Sequence, residues 1–187
     1  PNVILISLDT VRADHMSVYG YGRETTPHLK EFARESTLFS RSVASGDMTL
    51  PTHGSIFTGL YASQHGAHFS REHRMGAPLD PRFPTLAGQL HDRGFWTAGV
   101  VANSGYLSVF FGLNRGFEYW DQRLPTIALA PTPPQYLRGR IRDLLSHVLP
   151  VSELDRVSRG AAQINAAAWS ALDRRPRDGR PFFLFLN

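Results

Sequence analysis

Asp9 and Thr49 are the residues of this chain whose type and surroundings best suit chemistry. Asp9 closes the apolar run "VILISLD", which begins at Val3. A carboxylate at the carboxyl end of a strand lies where ligands sit in an open parallel sheet. The same position equally suits a turn former or a helix cap. Thr49 lies in "GDMTLPTHG", two residues before Pro51. Proline favours the first turn of a helix. The Thr49 hydroxyl therefore falls where unpaired N–H groups and the positive end of the helix dipole collect. An ordinary threonine N-cap accounts for that placement. So does a nucleophile whose developing charge is stabilised by the helix end and by a metal ion. Both readings stay open at this point.

Positioning these residues takes a strand before Asp9 and a helix after Thr49. Asn2–Leu8 is a nearly continuous apolar run, the pattern of a strand buried on both faces of a parallel sheet. "TTPHLKEFARES" reads as a helix with Thr26 as N-cap and Pro27 at its first position. "TLFSRSVA" reads as a second strand, and Pro51–Thr58 as a short helix closed by Gly59. Pro84–Arg93 is a further helix ending at Gly94, followed by the strand "FWTAGVVA". Residues 124–150 are proline-rich and then basic, an insertion or lid near the surface. Leu154, Val157, Ala161, Ile164, Ala168 and Leu172 fall at helical spacing, which predicts one amphipathic helix over 153–174. "RPRDGRP" is a turn, and "FFLFLN" a last buried strand. Strands alternating with helices predict an α/β domain: a mostly parallel, doubly wound sheet with helices on both faces. Ending on such a strand is expected of the N-terminal part of a longer protein.

Composition narrows the classes. The chain has 187 residues, 42% of them hydrophobic, enough for one domain with a core and unlike a disordered chain. No apolar run reaches the roughly 18–20 residues of a membrane span. The absence of cysteine excludes disulfides, thiolate metal sites and cysteine nucleophiles. The net charge of +4 would suit nucleic acid. However, Lys30 is the only lysine, the arginines are scattered, and no aromatic-basic interleaving occurs, so nucleic acid is not the expected partner. No phosphate-binding loop of the GxxxxGKS kind is present.

At this point the motifs carry a family resemblance. The stretch from "PNVILISLDTVRADHMSVYGYGRETTPHL" through "GDMTLPTHGSIFTGLYASQHG" resembles the N-terminal half of the sulfatase-like branch of the alkaline phosphatase superfamily. "PTLAGQLHDRGFWTAGVVANSGYL", "GLNRGFEYWD" and "RPFFLFLN" are similar to the helix and strands that follow in that family. The resemblance implies a divalent metal ion (Ca, Mg, Mn or Zn) and an ester of sulfate or phosphate as substrate, small-molecule, glycan or lipid. Asp9 matches the first metal-binding aspartate, and the position of the family's second aspartate is Thr10. Thr49 matches the nucleophile and shares in metal binding. His53 matches an arginine that stabilises the nucleophile, and with Asn103 would hold the anionic group. No lysine or histidine occupies "VVANSGY", where the family has Lys-x-His, so Asn103 becomes the candidate for gripping an ester oxygen. Arg12 is a second candidate for meeting an anionic substrate. The family's other metal ligands, an Asp with a His or Asn, fall beyond Asn187.

Thr49 departs from the formylglycine sulfatases in a chemically decisive way. Oxidation of cysteine or serine at Cβ gives an aldehyde, whose hydrate is their nucleophile. Threonine carries a methyl on Cβ, so the same oxidation gives a ketone and formylglycine is impossible here. A direct hydroxyl nucleophile activated by a divalent cation remains, as in the phosphodiesterase and phosphotransferase members that Asp9 and Thr49 resemble. The expected activity is metal-dependent hydrolysis or transfer of a sulfate or phosphate ester, with phosphoester chemistry favoured. The alternative is an inactive sulfatase-like protein that binds an anionic ligand. His65 reads as structural, Asp47 as a turn residue, and His15, His68 and His73 as loop residues without zinc-site spacing.

Overall fold

Alternating apolar side chains on the last strand organise the two cores of the molecule. The computed structural model describes residues 1–124, 137–148 and 159–187. Its sheet has four parallel strands, β1 (Val3–Ile6), β2 (Trp96–Val100), β3 (Tyr119–Asp121) and β4 (Phe182–Leu186), in the order β1-β4-β2-β3. Val3 pairs with Phe183 and Ala98 with Leu184, so β4 is bonded on both edges. Phe183 and Phe185 point to one face and Leu184 to the other, as strand alternation requires.

Helices cover both faces. On the Phe183/Phe185 side, α2 (Thr49–Thr58) brings Leu50 and Phe57, and α4 (Leu86–Asp92) brings Ala87. On the Leu184 side, α6 (Ala161–Asp173) packs Ile164, Ala167, Ala168 and Ala171 against Trp96, Ala98 and Val100. The doubly wound α/β arrangement expected from the element order is the one observed. The other described α-helices are α1 (Pro27–Phe32), α3 (Ala62–His65) and α5 (Leu137–Ser146), with four short 3-10 turns besides. Among the described residues no helix is long and apolar enough to cross a membrane.

Several local expectations change. β1 is not buried on both faces: it lies at the sheet edge, with Ile4 55% and Ile6 61% exposed. An apolar run reports hydrophobicity, but position in the sheet decides what covers it, and α6 lies over β2 and β4 rather than β1. "TLFSRSVA" forms no strand, and Phe39 and Val43 are exposed. A strand needs a neighbour to take its backbone groups, and none of the described strands lies beside it. β3 falls in a stretch to which sequence patterning assigned no strand of its own. Thr26 caps α1 by position only, because its hydroxyl pairs with Ser17 and accepts from Val18 N–H. The expected helix over 153–174 starts at Ala161, after an extended Gly160; its first part, with Leu154 and Val157, lies outside the described residues. Of the insertion at 124–150, residues 137–146 are helical and the proline-rich part lies outside the described residues.

Phe185 is fully buried and packs edge-on against Phe57 at 4.9 Å. Phe185→Ala should therefore cost about 3–5 kcal/mol of stability, read from urea unfolding. A loss under about 1 kcal/mol would show that the sheet–α2 interface is not the main core.

Candidate active site

The site forms where β1 ends beside the start of α2. Alternation along the chain puts Leu5, Ser7 and Asp9 on the side facing α2. Leu5 packs against the core there, and the other two side chains bond to that helix. α2 begins with Met48 in an extended N-cap conformation and ends at Gly59, whose φ of 72° stops the helix. Thr49 is thus the first helical residue and not the cap. Its hydroxyl does not bond a helix N–H. It donates instead to Asp9, 3.1 Å from Oδ2 and 3.3 Å from Oδ1. Intrahelical bonding starts with Thr52 N–H to the Met48 carbonyl at 3.2 Å, so the N–H groups before it lack a carbonyl one turn back. A half-buried hydroxyl, a carboxylate and the positive end of a ten-residue helix therefore meet at one point.

Asn103 joins this pair from the loop after β2. Its side-chain N–H donates to Asp9 Oδ2 at 3.1 Å, and its Oδ1 accepts from Tyr106 N–H at 3.2 Å. Its backbone N–H donates to Asn187 Oδ1 at 3.3 Å. The carboxyl ends of β1, β2 and β4 are therefore tied together through Asp9, Asn103 and Asn187. A cavity of about 820 Å³ opens beside Asp9, Thr10 and Asn103, with Ile6, Leu8 and Ile164 among its apolar lining. Thr10 has a φ of 58°, rare for a β-branched residue. That left-handed turn bends the chain immediately after Asp9.

His53 lies underneath. It is 2% exposed, with Phe57 and Phe185 edge-on to its ring. Nδ1 is 2.8 Å from the Thr49 carbonyl, an acceptor, so this nitrogen carries the proton. Burial pushes the imidazole pKa down, against the raising effects of that carbonyl and the Asp9 charge. The neutral ring then leaves Nε2 bare to accept from the Ser7 hydroxyl at 2.9 Å. Both ring nitrogens are thus occupied within the protein. Arg12 lies apart from this group, on the surface, paired with Asp14 at 2.6 Å. Of the expected site residues, the fold brings Asp9, Thr49, Asn103 and His53 together and leaves Arg12 out. Sequence reading missed Ser7 and Asn187. The i, i+2 relation of Ser7 to Asp9 was a usable signal; nothing local marked Asn187.

A divalent cation favours hard oxygen donors. Among the described residues Asp9 accepts bonds only from neutral donors, so its charge is available to a cation, and the Thr49 hydroxyl is an oxygen donor beside it. These two fit part of such a site. Among the described residues no group of three or more His, Cys, Asp or Glu could hold a metal ion. His15 stacks on Tyr21, His68 faces the Phe69 carbonyl and His73 lies near Ser70, none of them at Asp9.

His65 is a structural counterpart to His53. Nδ1 accepts from Ala67 N–H and Nε2 contacts the Ser55 hydroxyl, both at 3.1 Å, so the ring holds the opposite tautomer. Gly54 allows this contact: a Cβ there would stand 2.6 Å from the His65 ring. The ring thereby braces α2 against α3.

The parallel sheet with helices on both faces, and Asp9 just past its first strand, is an α/β fold. Within that class the chain belongs to the sulfatase family, whose model, described as Sulfatase, matches residues 1–187. It is 25% identical to steryl-sulfatase of Mus musculus over 94% of this chain and 30% of that protein. It is 37% identical to the bis(5'-adenosyl)-triphosphatase ENPP4 of Homo sapiens, over 35% of this chain and 14% of that one. The fold matches the phosphonate monoester hydrolase of Agrobacterium radiobacter with a TM-score of 0.62 and 22% identity, covering 100% of this chain and 41% of that one. The match thus covers less than half the length of each of these proteins.

Burial also lowers the His65 pKa, although the Pro51 carbonyl opposes the shift. The unfolded chain then takes up a proton below about pH 6.5 that the folded chain refuses. Stability contributed by the neutral ring is present above that pH and is lost as pH falls through the lower folded value. Urea unfolding should show declining stability from about pH 7 to about pH 5. A flat or rising curve toward acid would show that the buried imidazoles are not held neutral.

Proposed function

We propose that the protein is a metal-dependent hydrolase or transferase of sulfate or phosphate esters, with Thr49 as nucleophile and phosphoesters preferred. The observation that carries this reading is the Thr49 hydroxyl donating to Asp9 at the first turn of α2. Family membership supports the ester class, as do relatives named as a sulfatase, a triphosphatase and a phosphonate monoester hydrolase. Asp9 and Thr49 would hold the divalent cation, which supplies acidity to the hydroxyl when bound. In the attack, the Thr49 oxygen forms a bond to phosphorus and the ester oxygen leaves with its electron pair. With Asp9 engaged in holding the cation, the Thr49 proton would pass to water as the bond forms. Unpaired N–H groups of α2 face the negative charge that develops. Water then cleaves the phosphothreonine or a second alcohol accepts the group.

Asn103 serves this scheme as a clamp on Asp9. Both polar ends of its side chain are already engaged, which leaves the helix N–H groups as the better grip on the transferred group. His53 acts on the main chain of Thr49, and Arg12, paired with Asp14 at the surface, is not needed in this scheme. A second reading is an inactive protein that binds an anionic ester. It is favoured by Thr10 in place of a second aspartate and by "VVANSGY", which has neither the lysine nor the histidine of the family's Lys-x-His.

Turnover separates the two. With the full-length protein and added manganese or zinc, Thr49→Ala should abolish aryl phosphate hydrolysis while remaining folded, and Thr49→Ser should keep it. Near wild-type turnover in folded Thr49→Ala would remove Thr49 as nucleophile, and no turnover by wild type would favour the binding protein. Lacking the formylglycine hydrate that expels sulfate, the protein should turn over an aryl phosphate faster than the matching aryl sulfate. A sulfate preference of about tenfold, near 1.4 kcal/mol in barrier, would contradict the phosphoester assignment.

A further inference from the structure

We propose that Ser7 is a positioning residue for Thr49, acting through His53; the proposal rests on Thr49 being the nucleophile. A nucleophile on the first residue of a helix has a mechanical weakness. The first turn has few intrahelical bonds and frays. A small rotation of that turn would carry the Thr49 hydroxyl away from Asp9.

The structure opposes this rotation from below. Ser7 is fixed in the sheet by its own N–H, which donates to the Leu186 carbonyl at 2.9 Å. Its hydroxyl donates to His53 Nε2 at 2.9 Å, and His53 Nδ1–H donates to the Thr49 carbonyl at 2.8 Å. Phe57 and Phe185 wall the ring, so it cannot swing to other partners. A continuous chain of bonds thus runs from the β4 backbone through Ser7 and His53 to the main chain of Thr49. Asp9, two residues after Ser7, holds the other end of Thr49 by its hydroxyl. One strand therefore grips the residue twice, at carbonyl and at side chain. Among the described residues the Ser7 hydroxyl bonds to His53 and to neither Asp9 nor the Thr49 hydroxyl, so the route from Ser7 to Thr49 passes through His53. Misplacement of a reacting group by an ångström is enough to slow a reaction by about two orders of magnitude.

The test uses the full-length protein with 4-nitrophenyl phosphate. Ser7→Ala should lower kcat by about tenfold or more with KM nearly unchanged, and Ser7→Thr, which restores a hydroxyl, should recover it. His53→Asn keeps a donor for the Thr49 carbonyl but does not reach Ser7, so it should show the same deficit. The double variant Ser7→Ala/His53→Asn should be no slower than either single one. A readout independent of turnover is the imidazole nitrogen spectrum of His53. Wild type should show the Nδ1–H tautomer, and Ser7→Ala should shift the bare Nε2 resonance. Unchanged kcat in Ser7→Ala, deficits that multiply in the double variant, or an unmoved Nε2 resonance would each overturn the proposal. If Thr49→Ala is inactive while Ser7→Ala is unaffected, the positioning role alone is lost. If Thr49→Ala stays active, the nucleophile reading falls and this proposal with it. If His53→Asn does not fold, Ser7→Ala and Ser7→Thr still decide the outcome.

Discussion

The hydrogen bond from the Thr49 hydroxyl to Asp9 joins a strand end to a helix start, and each side of that bond needs its own support. Asp9 stays in place because β1 is laddered onto β4 and because Asn103 clamps the same carboxylate from the loop after β2. Thr49 stays in place because α2 lies against the sheet through Leu50, Phe57 and Phe185. Neither support is local in sequence. The carboxylate and its Asn103 clamp are 94 residues apart, so the site exists only once the parallel sheet has formed.

Charge placement follows the same plan. Asp9 receives neutral donors, Thr49 and Asn103, and Arg12 is turned away to Asp14. A neutralising arginine beside Asp9 would compete with a cation for the carboxylate. The two buried histidines of this region are held neutral by burial, in opposite tautomers, each fixed by the backbone atom it meets. They brace α2 at its start and against α3 without adding charge to the site.

Much of this was legible in the sequence, for identifiable reasons. The apolar runs of β2 and β4 and the glycine after Thr58 reported real elements because each depends on local composition. Asp9 and Thr49 were readable because a strand end and a proline-marked helix start announce themselves. Position within the sheet was not: β1 reads as fully buried, yet it lies at an edge. "TLFSRSVA" has strand composition but no neighbouring strand among the described ones. The role of His53 was also hidden. Its residue type suggests contact with an anion, whereas its depth and both of its bonds are products of tertiary packing. Ser7 matters only through that buried ring, and Asn187 only through the backbone of Asn103.

The central claim is that the Thr49 oxygen itself takes up the transferred group. It is tested most directly by acid-quenching the full-length protein during aryl phosphate turnover and mapping the peptide that contains Gly46–Gly59 by mass spectrometry. The account predicts the added mass of one phosphoryl group on Thr49, absent from the Thr49→Ala protein. Steady turnover with no adduct at Thr49, or with the phosphoryl group on another side chain, would contradict it.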